Sequence, residues 1–272
     1  MIKNLFKNII NNLTEKLYKT SFGQYITEIL INEGMEKKRK ISYRNIEMFF
    51  SVPNRLNKYR VDSFSIKEPE TLDWIDEITE NSIVWDIGAN IGLYTIYAAK
   101  SKNCKVYAFE PSFFNLELLA RNIYINNLQN NIIVIPVSVN KKLDENVFQL
   151  SSTQWGGALS TFGAGIDQDG EPINTKFEYK TIGLSMEDMR NKLKIPAPDY
   201  VKIDVDGIEH LILSGGIDVL KNVKSILIEI NDSFIEQSNV TTEILKKSGF
   251  LLFKKCRLQG SKNQFNQWWV RK

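Results

Sequence analysis

A short turn at residues 86–92, Asp-Ile-Gly-Ala-Asn-Ile-Gly, combines a carboxylate with two glycines that let a ligand approach the backbone closely. It follows an apolar segment that is predicted to be a strand and precedes a predicted helix, so the turn and the helix N-terminus would face one crevice at the carboxyl edge of a sheet. Gly88 and Gly92 are spaced more widely than the first glycines of a dinucleotide fingerprint, and Asp86 would repel a pyrophosphate. The turn therefore predicts a nucleotide-type site for a cationic or zwitterionic ligand.

A second carboxylate is predicted at the same edge. Glu110 follows the apolar segment 105–109 and lies about 20 residues beyond the glycine turn, the offset at which an acidic residue meets ribose hydroxyls in such folds. A ribose site, a glycine turn and an acid suited to a positive ligand together indicate S-adenosylmethionine, whose sulfonium and amino groups are cations. A purely structural turn with an exposed glutamate is the alternative, and the order of the elements argues against it.

A third polar set lies in one segment, Lys202-Ile-Asp204-Val-Asp206-Gly-Ile-Glu209-His210. Asp204 closes a predicted strand at 200–205, so its side chain is expected in the same crevice. Lys202 precedes it by two residues and faces the same side of the sheet, where its charge would keep the Asp204 carboxylate ionised. We predict that Lys202 and Asp204 are catalytic, with Asp204 between methyl donor and acceptor as a base or as an orienting hydrogen-bond acceptor.

The other polar residues of this segment have competing interpretations. Asp206 and Glu209 have the spacing of a capping box that opens the next helix, and a functional role is equally open. His210 is a further catalytic candidate, since imidazole is a natural base at neutral pH, although a partly exposed helix histidine without chemistry is favoured. Asp204, Asp206 and Glu229 end neighbouring strands and have the chemistry of a divalent-cation site, but we expect no metal.

The elements that must position these residues alternate between strand and helix from residue 82 onward. Such alternation is typical of an α/β fold whose parallel strands are joined by right-handed crossovers. The predicted strands are 82–87, 105–109, 132–139, 200–205, 225–230, 250–254 and 267–271, and the helices between them are 93–100, 113–126, 207–213 and 241–247.

Residues 140–199 interrupt this alternation, and we interpret them as an insertion that forms a substrate loop, because loops on a rigid scaffold carry specificity. Trp155 lies there beside two glycines and is predicted to stack on the face of a sugar; burial in the core is an equal alternative. We divide the chain into an N-terminal helical extension, 1–60, and a main domain, 61–272.

The composition excludes several classes of function. The 272 residues include one His and two distant Cys, too few for a structural zinc site, and no GxSxG elbow supports a serine hydrolase. The thiols fit a reducing compartment, and we expect a cytoplasmic protein. The net charge of +3 comes from residues 1–20, which leaves 21–272 neutral. Because nucleic-acid binding usually needs a basic excess, no nucleic-acid partner is expected.

Residues 1–20 are predicted to form an amphipathic helix whose apolar side is flanked by lysines. Its apolar residues, spaced by three and four, are Ile2, Leu5, Phe6, Ile9, Ile10, Leu13 and Leu17. One interpretation is peripheral contact with a membrane of anionic lipid. We favour packing on the protein's own domain or on a second subunit, as in a homodimer, since amphipathic helices of globular proteins mostly bury their apolar face.

The chain resembles the FkbM family of S-adenosylmethionine-dependent methyltransferases over residues 60–272. The matching segments are KEPETLDWID (67–76), VWDIGANIGLYTIYAA (84–99), VYAFEPSFFNLELLARNIYINN (106–127), VKIDVDGIEHLILSGG (201–216) and ILIEI (226–230). The resemblance implies the class I, Rossmann-like fold: a mostly parallel seven-stranded sheet with helices on both faces, here with an N-terminal helical extension. One departure is Asp206, where the family's usual residue is Glu.

The resemblance also implies roles for individual residues and a class of acceptor. The methionine part of the cofactor would be contacted by Asp86, Gly88, Asn90 and Gly92. Glu110 would bind the ribose, and Pro111 and Ser112 would border the adenine. Asp204 would lie beside the cofactor as well. Members of the family are O-methyltransferases of natural products and of sugars in cell-surface polysaccharides, so the resemblance implies a hydroxyl on a glycan or a related small molecule as acceptor.

Two functions of other classes compete with methyl transfer. A nicotinamide-dependent oxidoreductase would need the GxGxxG turn that the sequence lacks. A non-catalytic scaffold would bind the cofactor without turnover. Among methyltransferases, an enzyme acting on nucleic-acid amino groups is disfavoured, because KIDVDG stands where an (Asp/Asn)-Pro-Pro-(Tyr/Phe) motif is expected.

Overall fold

A computed structural model describes residues 2–272, without the side chains of residues 2, 3, 4 and 6, so Met1 and the side chains of Ile2 and Phe6 in the predicted stripe lie outside the described part. In chain order the elements are α1 (Ile2–Tyr18), α2 (Ser21–Met35), β1 (Lys38–Tyr43), β2 (Ile46–Ser51), α3 (Arg55–Asp62), α4 (Phe64–Lys67), α5 (Pro69–Asp76), β3 (Ile83–Ile87), α6 (Leu93–Lys102), β4 (Lys105–Phe109), α7 (Phe113–Ile125), β5 (Ile132–Ile135), β6 (Ser138–Val139), β7 (Asp144–Leu150), β8 (Ser160–Phe162), β9 (Phe177–Leu184), α8 (Met186–Asn191), β10 (Tyr200–Ile203), α9 (Glu209–Ser214), α10 (Ile217–Leu220), β11 (Ser225–Asn231), α11 (Ile235–Lys247), β12 (Phe250–Arg257) and β13 (Gln264–Arg271). None of the helices described between residues 2 and 272 is long and apolar enough to cross a bilayer.

The main sheet has seven strands in the order β12-β13-β11-β10-β3-β4-β5. The strands from β11 to β5 are parallel, and β13 runs antiparallel to both of its neighbours. Alternate residues of each strand enter different cores: Trp85 packs with helices α8, α9 and α11, and Val84 packs with α5, α6 and α7. The predicted Rossmann-like fold, with a mostly parallel sheet and helices on both faces, is confirmed.

The strand order brings the predicted site residues to one edge. The chain passes from β3 to β4 on one side and returns to β10 on the other, so the carboxyl ends of these strands meet where strand order reverses. Such switch points are where open α/β sheets bind ligands. The register places Lys202 beside Asp86, and both side chains therefore lie on the same face.

Residues 140–199 form most of a second sheet, with the order β6-β9-β7-β8, where a substrate loop was predicted. The strand predicted over 132–139 is also divided: β5 stays in the main sheet, and β6 pairs with β9. Pro136 lies between them and has no N–H to continue the ladder. The inner face of β7 buries Phe148 and Leu150 against the main sheet, so the insertion shares its core.

The first 60 residues are only partly helical, which corrects the predicted helical extension. Strands β1 and β2 form an antiparallel hairpin, and β2 is bound to α7: the backbone N–H of Ser51 donates to Asn122 Oδ1 at 2.7 Å. Phe50 is fully buried in the same core as α6 and α7. The helix α1 differs, because all of its described side chains are exposed. The expectation that its apolar stripe packs on its own domain is therefore wrong.

Candidate active site

The glycine turn between β3 and α6 needs left-handed backbone conformations. Gly88 has φ 87°, and a Cβ there would lie 1.9 Å from the carbonyl oxygen of Asp204, so no side chain fits between the two strand ends. Gly92 has φ 84°, precedes α6, and would bring a Cβ to 2.5 Å from the Leu119 side chain. Asn90 between them also has positive φ. The two glycines are explained by this close approach. Gly88 and Asn90 line the cavities at this edge, whereas Gly92, a predicted cofactor contact, is buried and lines neither.

Asp86 is buried beneath this turn with one of its oxygens unused. The Thr95 hydroxyl donates to Oδ2, whereas Oδ1 has no hydrogen-bond partner among the described residues. Burial raises the pKa of Asp86, and the charge of Lys202 opposes that shift. An unsatisfied carboxylate oxygen beside a cavity fits a cationic group such as the amino group of S-adenosylmethionine.

Lys202 and Asp204 form the predicted inward pair. Lys202 is buried, and its Nζ lies 2.8 Å from Asp204 Oδ2 and 3.8 Å from Asp86 Oδ1. Burial lowers the pKa of Lys202, but the charges of Asp204 and Asp86 have the larger effect, so its pKa is raised above the usual value. Burial likewise acts against ionisation of Asp204, and Lys202 reverses the effect, so the pKa of Asp204 is lowered. Asp204 is therefore a fixed anion at neutral pH.

Glu110 is held by backbone donors of both the turn and the next helix. It accepts hydrogen bonds from the N–H groups of Asn90 (2.8 Å) and Ser112 (2.9 Å). Burial raises the pKa of Glu110 to about 7, against the effect of these hydrogen bonds. Pro111 lines the same cavity as Glu110, whereas Ser112 is buried beneath it and lines neither cavity of the site.

Two cavities adjoin at this edge of the sheet. The first encloses about 250 Å³ and is lined by five carboxylates, including Asp86, Asp204 and Glu229, against three basic side chains. The second encloses about 60 Å³ beside Glu110 and Pro111, between mostly apolar walls. Gly88, Asn90, Ala158, Asp204 and Asp206 line both cavities. The excess of negative charge in the first suits a cation, and the second suits a nucleoside.

Asp206 connects the site to the insertion and does not cap a helix. Its backbone has φ 60°, and its carboxylate accepts hydrogen bonds from the N–H groups of Leu159 (2.7 Å) and Ser160 (3.2 Å). Burial and the charge of Asp204 raise the pKa of Asp206 to about 6. Helix α9 begins later than predicted, at Glu209, which accepts hydrogen bonds from Val205 and Gly207 N–H groups instead. The capping-box interpretation is therefore wrong.

Glu229 and Glu68 of the first cavity were not predicted as catalytic or cofactor-binding residues, although Glu229 was named as a candidate cation ligand. Glu229 is the single charged residue of the apolar strand β11, and this pattern is visible in the sequence. Which residues lie beside it in the cavity depends on the strand order, which the sequence does not give directly. Burial, followed by the negative charges of Asp204 and Asp206, raises the pKa of Glu229 well above its usual value. Glu68 precedes α5, is buried and lines the same cavity.

His210 and Trp155 do not line either cavity. His210 is buried on α9, which corrects the expected partial exposure, and its ring packs edge-on against Phe234 with 5.7 Å between centroids. Burial lowers the pKa of His210. The Trp155 side chain packs against the cluster of Met35, Ile91 and Leu118. The structure thus does not bring these two predicted site residues together with Lys202 and Asp204.

Within the described residues, the carboxylates of the first cavity are not arranged as a site for a metal ion. Asp204, Asp206 and Glu229 end up near one another, as their strands predict. Among the side chains that the structure describes, however, no group of three His, Cys, Asp or Glu residues is arranged to hold a metal ion.

Sequence comparison identifies similar proteins. A family model described as "Methyltransferase FkbM domain" matches residues 86–257. The chain is 25% identical to hexuronic acid methyltransferase AglP of Haloferax volcanii over 180 residues, which cover 63% of this chain and 69% of AglP. It is 25% identical to methyltransferase sdnD of Sordaria araneosa over 168 residues, 52% of this chain and 62% of sdnD.

Two solved structures match this chain at lower sequence identity. The FkbM methyltransferase of Methylobacillus flagellatus KT is 16% identical, with a TM-score of 0.49 over 71% of this chain and 44% of that chain. TYW2 of M. jannaschii in complex with AdoMet is 16% identical, with a TM-score of 0.46 over 87% of this chain and 88% of that chain.

Proposed function

Because this chain belongs to the FkbM family of methyltransferases, we propose that it transfers a methyl group from S-adenosylmethionine to a hydroxyl group of a sugar. One observation carries the proposal: an acidic cavity around the buried Asp86–Lys202–Asp204 cluster adjoins an apolar cavity that ends at Glu110. The first has the charge that a sulfonium requires, and the second has an acid placed for ribose hydroxyls.

The residues that would hold the cofactor follow from this division. Glu110 would accept hydrogen bonds from the ribose hydroxyls, and Pro111 would lie beside the adenine in the apolar cavity. Asp86 Oδ1, buried without a hydrogen-bond partner in the described chain, would accept a hydrogen bond from the cofactor's amino group. The backbone of Gly88 and Asn90 borders both cavities, where the two halves of the ligand would join. When bound, S-adenosylmethionine supplies an electrophilic methyl group.

The acceptor hydroxyl would be aligned by Asp204 and deprotonated by Glu229. Asp204 is a poor base because Lys202 stabilises its charge, but a fixed carboxylate orients a hydroxyl well. Glu229 lines the same cavity, and burial together with the neighbouring acids raises its pKa. A cation bound nearby would favour its ionised form, so that it would be ready to accept the hydroxyl proton.

A sugar acceptor is supported by the similarity to AglP, which is named as a hexuronic acid methyltransferase. The side chains of Gln259 and Gln264 line the first cavity beyond Asp204, and amides are suited to sugar hydroxyls. Ala158 and Leu159 of the insertion close the cavity from the other side, so this segment would help to select the acceptor, a surface polysaccharide or its precursor. The free thiols of Cys104 and Cys256 fit a reducing, cytoplasmic setting.

Radiolabelled methyl transfer tests the proposal. The protein is incubated with methyl-labelled S-adenosylmethionine and oligosaccharides that contain neutral or hexuronic sugars, and the label in the glycan is counted. We expect transfer by the wild type and by Asp218→Asn, an exposed acid outside both cavities, and about 1000-fold slower transfer by Asp204→Asn. Cofactor binding without transfer to any glycan would instead favour a different acceptor class or a non-catalytic scaffold.

A further inference from the structure

Helices α1 and α2 form an N-terminal hairpin that leaves a large apolar surface uncovered. On α1, Leu5 and Leu13 are 63% and 62% exposed, and the α2 residues Phe22 and Leu30 are 73% and 66% exposed. The other exposed apolar side chains of the hairpin are Ile9, Ile10, Leu17, Tyr18, Tyr25, Ile29 and Ile31. So many exposed apolar side chains on two consecutive helices indicate an interaction site.

The hairpin is well formed at its turn, so the exposed surface belongs to a defined structure. Thr20 caps α2 by accepting a hydrogen bond from the Gly23 N–H at 3.0 Å. A Cβ at Gly23 would lie 1.8 Å from the carbonyl oxygen of Leu17, so only glycine lets α2 pack against the end of α1. Gln24 Nε2 also donates to the Tyr18 carbonyl at 3.1 Å.

The charges on α1 favour an anionic partner. Residues 1–20 contain four lysines and one glutamate, whereas α2 carries two exposed glutamates, Glu28 and Glu33, and no basic residue. The positive charge of the hairpin therefore lies on α1 and the turn that follows it. Lys7, Lys16 and Lys19 form no ion pair within the described part of the chain. Lys16 lies at the border of the apolar stripe, where its methylene groups can contact apolar material while its ammonium stays in the polar layer. Such an arrangement is typical of helices that lie in a lipid headgroup region.

We propose that the α1–α2 hairpin binds the surface of a membrane that carries anionic lipids, with α1 lying in the interface. A second copy of the chain is the competing occupant. A symmetric dimer that sets one α1 against another would bring their lysines together, which costs electrostatic free energy. A dimer that sets α1 against α2 of the second copy would pair lysines with Glu28 and Glu33, and the experiment below distinguishes it from membrane binding. An anionic lipid surface neutralises the same lysines and covers the same apolar side chains.

The hairpin is attached directly to the wall of the active site. Met35, at the end of α2, packs against Ile91 and Leu118, and its carbonyl accepts a hydrogen bond from Ser51 Oγ at 3.0 Å. Ile91 belongs to the glycine turn and lines the first cavity. Docking of α1 would therefore tether the catalytic cavity to the lipid surface through α2, which suits an acceptor glycan carried by a lipid; this step rests on the proposed function.

Sedimentation with vesicles tests the proposal. Full-length protein is mixed with vesicles of phosphatidylcholine alone or with 30% phosphatidylglycerol, a proportion chosen on the order of natural anionic leaflets. We expect cosedimentation only with the anionic vesicles and its loss in high salt. The combined Lys7→Gln, Lys16→Gln and Lys19→Gln variant should bind on the order of 100-fold more weakly, and Leu5→Asp with Leu13→Asp at least about tenfold more weakly.

The matched control is Phe253→Asp, which removes an exposed apolar side chain on β12, away from the hairpin, and should bind vesicles like the wild type. Methyl transfer to a water-soluble acceptor and circular dichroism should be unchanged in all variants, which separates a failure here from failure of the proposed reaction. Unchanged vesicle binding by the Leu5 and Leu13 variant would overturn the proposal. So would a wild-type dimer that this variant converts to a monomer while anionic vesicles bind neither form.

Discussion

The carboxyl edge of the main sheet and the N-terminal hairpin both combine charged and apolar residues, but only the sheet edge supplies its own partners. At that edge Lys202 is buried with Asp204 and Asp86 at fixed distances. On α1, the lysines and leucines whose side chains are described all face outward. The difference teaches that a site for a small cation can be completed within one chain by strand register, whereas the hairpin needs a surface from outside.

The largest effect is expected from Asp204→Asn, which removes the central partner of Lys202. We expect kcat to fall by about 1000-fold, since an acceptor that is neither aligned nor hydrogen-bonded loses much of its transition-state stabilisation. The dissociation constant for S-adenosylmethionine, measured by calorimetry, should change less than about threefold because Asp86 and Glu110 remain. A variant that keeps wild-type turnover would remove Asp204 from the mechanism.

A smaller loss is expected from Glu229→Gln, which separates proton transfer from alignment. We expect kcat to fall by about 100-fold, and the acidic limb of the pH profile of kcat to disappear, since the amide cannot take up a proton. The measurement is the pH–rate profile of wild type and variant between pH 5 and 9. A variant profile that retains the acidic limb would assign proton transfer to another group.

Glu110→Gln should act on cofactor binding and leave chemistry nearly intact. The charged hydrogen bonds to a ribose are worth about 1.5–3 kcal/mol, so affinity for S-adenosylmethionine should fall by about 10- to 100-fold. With saturating cofactor, kcat should stay within about threefold of wild type. Calorimetry and initial rates separate the two quantities, and a large drop in kcat at saturation would contradict the assignment of Glu110 to the ribose.

The buried acids also predict how stability depends on pH in the absence of cofactor. Glu110 and Glu209 have pKa values of about 7, and Asp206 of about 6, all raised primarily by burial. The folded protein therefore retains protons that the unfolded chain releases, and stability declines as the pH rises from about 4.5 to 7. His210 acts in the opposite direction: its pKa is lowered by burial, so its contribution to stability increases as the pH rises. It is one group against three.

Thermal melting at pH 5 and pH 8 measures that decline. We expect a lower Tm at pH 8, by at least about 2 °C for a protein of this size. Glu209→Gln should make the difference in Tm smaller, because the amide does not titrate between these pH values. Gln237 and the N–H groups of Val205 and Gly207 would then face a neutral side chain at both pH values. A Tm that is higher at pH 8 than at pH 5 would contradict the raised pKa values.

The sequence predicts much of the sheet edge because two-residue periodicity and strand order determine it. Lys202 and Asp204 lie on the same face because side chains alternate between the two faces of a strand. Glycine is required at position 88 because the ends of two strands lie too close together there for a Cβ atom to fit. Glu110 follows from its offset along the chain. These relationships are local or depend on regular crossovers, so they can be read without knowing tertiary contacts.

The contacts that the sequence could not predict join distant segments. The Asp206 carboxylate binds backbone N–H groups of Leu159 and Ser160, which lie in a polar stretch without strand periodicity. Asn122 and Asn126 of α7 hold the β2 strand by side-chain hydrogen bonds, which no periodic pattern indicates. Trp155 packs against α2 and α7 for the same reason: its partners are set by tertiary structure.

The most direct measurement is NMR of the product formed with S-adenosylmethionine that carries a ¹³C-labelled methyl group. A long-range proton–carbon correlation identifies the carbon that is bonded to the methylated oxygen. We expect the new methyl protons to correlate with a ring carbon of the sugar, as for a methyl ether, in the wild-type reaction and not with Asp204→Asn. A correlation with a carboxyl carbon, or the absence of a labelled glycan, would contradict methyl transfer to a sugar hydroxyl.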